Sequence, residues 1–104
     1  MENALAGKRV LITQADAFMG PVLCEVFAEQ GAEVIASADD LAVVDAAERI
    51  VHAAGRIDLL VANLAIKAPS TAALDVTDGE WRDVFAALVD PLPRLVRAAR
   101  ARSC

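Results

Sequence analysis

The apolar positions of this chain follow two alternating rhythms. Three short runs are apolar with little interruption: Val10-Leu11-Ile12, Val34-Ile35 within Ala32–Ser37, and Ile57 to Asn63. Runs of that length between turn residues read as strands buried on both faces, the pattern of a parallel sheet. Elsewhere the spacing is helical. Val22, Val26 and Phe27 recur within Pro21–Gln30. Leu41, Val44, Ala47, Ile50, Val51 and Ala54 form a second stripe, at a period of about 3.6 residues. A last helix opens at Trp81 and continues through Val84, Phe85, Leu88, Leu92, Leu95 and Val96.

Punctuation between these segments agrees with them. Gly31 suits the left-handed position that closes a helix, and Gly55 ends the second stripe. Asp39 or Asp40 is placed to cap the second helix, and Thr77-Asp-Gly-Glu80 has capping-box spacing. Ile66 to Asp75, with Pro69, Ser70 and Thr71, reads as loop. Pro91 and Pro93 interrupt the last helix and predict a kink or two segments, because each removes a backbone donor and crowds the preceding turn. The order is β-α-β-α-β-α over one domain, 1–104. With right-handed crossovers and a reversal after the first pair, the strand order is 2-1-3, a Rossmann-like α/β sheet. Ligands of such sheets sit beyond the carboxyl ends of the strands, at the switch between strands one and three. That sets the Thr13–Gly20 loop beside the Asn63–Pro69 loop.

Composition narrows the setting. Ten basic and 15 acidic residues give a formal charge of −5 without a basic run, which argues against nucleic acid or an anionic membrane as partner. The two cysteines, Cys24 and Cys104, form neither a disulfide framework nor a metal spacing. No signal-peptide pattern and no membrane-length apolar run is present, so a cytoplasmic setting is expected. His52, on the amphipathic second helix, reads as a surface residue, Cys24 as a small hydrophobe, and Asp75 and Asp78 as turn and helix-start acids.

The candidate chemistry lies in Thr13-Gln-Ala-Asp-Ala-Phe18-Met-Gly20. A strand–turn–helix at this place is where a dinucleotide-binding protein carries glycines, which let the chain turn tightly and let a pyrophosphate approach its amides. Here only Gly20 is glycine; Gln14 and Phe18 stand in the other places. No NAD or NADP is expected to bind. Phe18 reads as a ring set in part of the cofactor's space, or as a core or helix-start aromatic. Asn63 reads as bonding loop backbone or substrate, and Asp39 and Asp40 as surface groups that need no ribose.

Gly7 to Thr13, Gly31 to Ile35 and Gly55 to Asn63 resemble the first half of the short-chain dehydrogenase/reductase superfamily, across essentially the whole chain. The superfamily's first loop, Thr-Gly-x3-Gly-x-Gly, and its Asn-Asn-Ala-Gly strand end are both altered, the latter to Ala62-Asn63-Leu64-Ala65. Thr-x4-Phe/Tyr-x-Gly resembles the loop of the halohydrin dehalogenases, relatives without a nicotinamide cofactor. Among these dehalogenases, Gln14 to Gly20 and Leu60 to Asn63 resemble the B type. Leu88 stands where dehydrogenases carry the asparagine of their proton relay.

The resemblance implies conversion of a vicinal halohydrin to an epoxide and halide, and epoxide opening by small anions in reverse. A tyrosine beside an arginine takes the hydroxyl proton, a serine positions the oxygen, and the alkoxide displaces the halide. It implies a halide and substrate pocket at Thr13, Phe18, Gly20, Asn63 and Leu64, and homo-oligomers through the last helix. The serine, tyrosine and arginine belong to the second half of such proteins, and this sequence holds no tyrosine. The expectation is a fragment or truncated frame lacking its catalytic half. The alternatives are an oxidoreductase with a degenerate nucleotide loop, and a non-catalytic α/β interaction module.

Overall fold

Burial on both sides places the most apolar strand in the middle of the sheet. In the computed structural model, which describes residues 5–66 and 72–100, β1 (Arg9–Ile12) runs between β2 (Glu33–Ala36) and β3 (Leu59–Val61). All three are parallel, in the expected order 2-1-3. Leu11 lies opposite Ile35 and Leu60, and Ile12 opposite Ala36 and Val61. Val10, Leu11 and Ile12 are wholly buried, each side chain contributing roughly 1.5–3 kcal/mol by leaving water. The outer strands are shorter than their apolar runs suggest. Nor are they buried on both faces as their apolarity suggests: no residue of either is buried and Leu59 is exposed. An edge strand lacks the neighbours that cover β1, and its length follows pairing with a four-residue β1.

Four helices cover the sheet: α1 (Gly20–Glu29), α2 (Ala46–Ala54), α3 (Asp78–Leu88) and α4 (Pro91–Arg100). Helix α1 ends as its sequence demands. Gly31 has φ of 87°, its amide bonds Ala28 O, and the Ala32 amide bonds Phe27 O, the paired closure that a left-handed residue permits. Thr77 accepts a bond from the Glu80 amide at 3.1 Å and starts α3. The proline pair divides the last helix into two, as expected. Pro91 becomes the first residue of α4, where a helix has no use for the missing donor.

The second helix departs from its stripe. Neither Asp39 nor Asp40 caps it; α2 begins at Ala46, behind Asp45, without a side-chain cap. Asp40 instead accepts from the Ala42 amide at 2.9 Å and holds a turn. Leu41 is buried by that turn, while Val44 is 73% exposed. A carboxylate that serves its own near backbone competes with helix, and the β-branched Val43 and Val44 add little to favour one. The loop after β3 holds a short 3-10 turn at Ala73–Asp75.

Helix α4 packs along α2, and Leu95 joins Leu11, Leu41, Ile50, Val51 and Ile57 in one core. The opposite sides of the helices are open. Val22 and Val26 of α1, Leu59 on the outer strand, and Trp81, Phe85 and Leu92 of α3 and α4 are all exposed. The Trp81 and Phe85 rings lie 5.5 Å apart, tilted by 48°. Among the described residues no helix is long and apolar enough to cross a membrane.

At the amino ends of the strands, Arg9 gathers four segments. Its guanidinium donates to Ala54 O at the end of α2 at 2.6 Å and to Arg56 O at 2.7 Å, and pairs with the Glu33 carboxylate on β2. Its amide donates to Asp58 Oδ2 at 2.8 Å, and Arg56 pairs with the same carboxylate at 2.7 Å. The Arg9 amide, and then the Arg56 and Lys8 charges, hold the Asp58 carboxyl below its ordinary value. A depressed folded-state pKa stabilises the fold above the unfolded value, about 3.9, and that stabilisation is lost as pH falls through the folded value. Asp58→Asn therefore flattens the fall of stability with acid below about pH 4, read by urea midpoints from pH 2 to 7. An unchanged slope contradicts this assignment.

Candidate functional site

Beyond the carboxyl end of β1 the chain leaves the sheet at Thr13, and β3 leaves beside it at Asn63. Both residues are buried, at 0% and 6% exposure, and each meets the other's strand. The Thr13 amide donates to Val61 O at 3.1 Å, and its hydroxyl donates to Asn63 O at 2.8 Å. The Asn63 carboxamide reaches the other way: Nδ2 donates to Gln14 O and to Ala17 O, both at 2.9 Å. Gln14 completes the tie, its side-chain oxygen accepting from the Ala65 amide at 2.5 Å. The third strand end and the loop after β1 are thus sewn together by side chains.

Part of the loop's own backbone is bonded as well. Ala15 donates to Ser37 O, which anchors the loop to the end of β2, while Ala17 donates to Gln14 O and Gly20 to Ala17 O. Pro21 brings no donor at all to the start of α1. Gly20 could not carry a side chain: a Cβ there would lie 2.4 Å from Ala15 O and 2.7 Å from Ala15 Cα. That close crossing accounts for the one glycine the loop retains.

Two residues of the loop have positive φ without being glycine. They are Gln14 at 44° and Phe18 at 52°, the two positions at which a nucleotide loop carries glycine. The left-handed region costs an L-residue roughly 1–2 kcal/mol. The chain keeps the backbone path that glycine permits while placing side chains on it. Gln14 uses its side chain in the tie to Ala65. Phe18 neither enters the core nor staples α1, for its side of the loop is open and the residue is 78% exposed. Of the alternatives for Phe18, burial in the core is thereby excluded.

The remaining candidates divide. Leu64 is half-buried and packs against the core beside α2 and α4, so its carbon skeleton serves packing. Lys67, Ala68 and Pro69 of the expected second wall lie outside the described residues. Asp39, Asp40 and His52 are exposed, and Cys24 is half-buried. Among the described residues no group of three His, Cys, Asp or Glu is placed to hold a metal. The role of Gln14 went unread in the sequence. Only the fold brings Ala65 within reach of its side chain.

No protein-family model matches the sequence, and no curated protein matches it at a significant score. Solved structures do match. A Sinorhizobium meliloti protein provisionally assigned as a short-chain alcohol dehydrogenase superposes with a TM-score of 0.85 at 22% identity, covering 98% of this chain and 51% of its own. A Brucella melitensis short-chain dehydrogenase/reductase, named glucose/ribitol dehydrogenase, gives 0.82 at 19% identity, with coverages of 99% and 55%. Thermoplasma acidophilum aldohexose dehydrogenase gives 0.83 at 20% identity, with coverages of 98% and 46%. All three carry dehydrogenase names, and the chain spans about half the length of each. The fold is that of about half of a short-chain dehydrogenase/reductase structure.

Removal of the Asn63 carboxamide tests the tie between the loops. Asn63→Ala should cost about 1–3 kcal/mol, the range for a buried hydrogen-bonding side chain lost without replacement. Amide exchange at Ala15, Ala17 and Ala65 should accelerate more than at Leu11. Denaturant midpoints and exchange rates equal to those of the parent chain would contradict it.

Proposed function

We propose that this chain is the first half of a short-chain dehydrogenase/reductase-type protein that has given up its nicotinamide nucleotide, and that its reaction is halohydrin–epoxide interconversion. Phe18 carries this reading. At a position whose backbone has the conformation natural to glycine, the chain places an exposed aromatic ring where a bare backbone would admit a pyrophosphate. The amides of Ala15, Ala17 and Gly20 are already bonded within the protein, and Pro21 at the head of α1 has none to give. In this reading the Gln14 and Phe18 side chains take space that the dinucleotide of the fold family needs beside the loop.

In this reading the loop and the β3 end form one wall of a small-anion and substrate pocket. Thr13 and Asn63 hold it rigid from beneath, Gly20 allows the tight crossing, and Phe18 supplies apolar surface beside the departing halide. Leu64 contributes from the core side of the same strand end. The base that removes the hydroxyl proton is not among these residues. The sequence has no tyrosine, so the family's base is not supplied from within it.

A second reading has its own support. The matched solved structures are oxidoreductases by name, and the loop retains left-handed backbone at both glycine positions. An oxidoreductase that tolerates Gln14 and Phe18 would show the same path.

Calorimetric titration with NAD and NADP separates the two. The first reading predicts no saturable heat up to about 1 mM nucleotide, and no halide release from 1-chloro-2-propanol by the 104-residue chain alone. Saturable binding with a micromolar constant would transfer the assignment to the oxidoreductase class. Halide release above the buffer rate would refute the assignment of the base to residues outside the sequence.

A further inference from the structure

Away from the strand ends, α2 and α4 frame a groove of about 700 Å³. Its floor is apolar. Ala47 and Val51 are buried there, and Ala98 packs against the core. Its rim is charged. Arg49 of α2 is engaged by Asp45 one turn away, at 3.6 Å. Arg94 and Arg97 of α4 both border the groove, and residues three apart on a helix stand side by side, roughly 5–6 Å between Cβ atoms. Among the described residues neither guanidinium has an ion pair or a hydrogen bond, although Arg94 is half-buried. Three arginines against Asp45 and Glu48 leave the rim one net positive charge, in a chain of formal charge −5.

We propose that this groove binds an organic anion, a carboxylate or phosphate carried on a short apolar body, with Arg94 and Arg97 holding the charged head and the Ala47–Val51–Ala98 floor taking the body. Guanidinium groups match both heads in geometry, with paired N–H donors facing paired oxygens. The volume falls within the range of small-molecule sites, roughly 300–1,000 Å³. Glu48 on the opposite rim opposes an anion and sets a limit on its affinity. No residue of the loop after β1 takes part, so the proposal stands or falls apart from the reaction proposed above.

Amide chemical shifts of the full 104-residue chain, titrated with octanoate and with octyl phosphate, test it. Saturable shifts confined to residues 44–52 and 94–98 are expected with at least one anion, and the tighter of the two identifies the head group. Octanol and octylamine should bind at least about tenfold more weakly. Arg97→Gln, at an exposed position, should weaken the anion about tenfold, and Glu48→Gln should tighten it. Reversal of both charges, Arg94→Glu with Arg97→Glu, should abolish anion binding and create octylamine binding at the same residues, which also shows that the variant is folded. The proposal is overturned by absence of saturable shifts with both anions up to about 10 mM, by octanol binding as tightly as they do, or by Arg97→Gln binding them unchanged.

Discussion

The two hydrogens of the Asn63 carboxamide fix where the loop after β1 can run. They end on Gln14 O and Ala17 O, and the Thr13 hydroxyl returns a bond to Asn63 O. The Thr13 bond is buried and the two carboxamide bonds are partly so, and a bond removed there leaves a polar group poorly placed to find water in its partner's stead. The third strand thereby dictates the shape of a loop fifty residues earlier in the chain. The same tie brings Ala65 to the Gln14 side chain and sets the approach by which Gly20 crosses Ala15.

That constraint explains how Gln14 and Phe18 can remain left-handed. Roughly 1–2 kcal/mol of strain at each is opposed by buried bonds worth about 0.5–1.5 kcal/mol apiece, so the surrounding structure over-determines the path. Gln14 recovers part of its cost through Ala65. Phe18 makes no such bond, and its exposure leaves the strain uncompensated by burial. Strain that Phe18's own side chain does nothing to offset, in the loop beyond β1, is the physical reason for proposing a function for Phe18.

The sheet was legible because its signals are local and redundant. Val10-Leu11-Ile12 is a short apolar run between turn residues, Gly31 and Pro91 mark element boundaries sterically, and Thr77 marks one by the bond its hydroxyl accepts. The start of α2 was not legible, since Asp40 can hold either a helix or a turn and the choice depends on how Leu41 enters the core. For the candidate site, Thr13, Gly20 and Asn63 were legible as positions. The direction of Phe18, the packing of Leu64 and the reach of Gln14 were not, because they follow from contacts between segments far apart in sequence. The Arg94–Arg97 groove was illegible for the same reason: it exists only once α4 lies along α2.

The loop after β1 keeps glycine's backbone beneath side chains that glycine lacks. Comparing Phe18→Gly with Phe18→Ala in denaturant unfolding tests this most directly, since both remove the ring and they differ in tolerance of positive φ. At an ordinary position alanine is the more stable of the two, by roughly 0.4–1 kcal/mol. A left-handed Phe18 predicts the reverse, with glycine the more stable by about 1 kcal/mol. Alanine equal to or more stable than glycine would show that the loop does not follow this path, and the reading of Phe18 would fail with it.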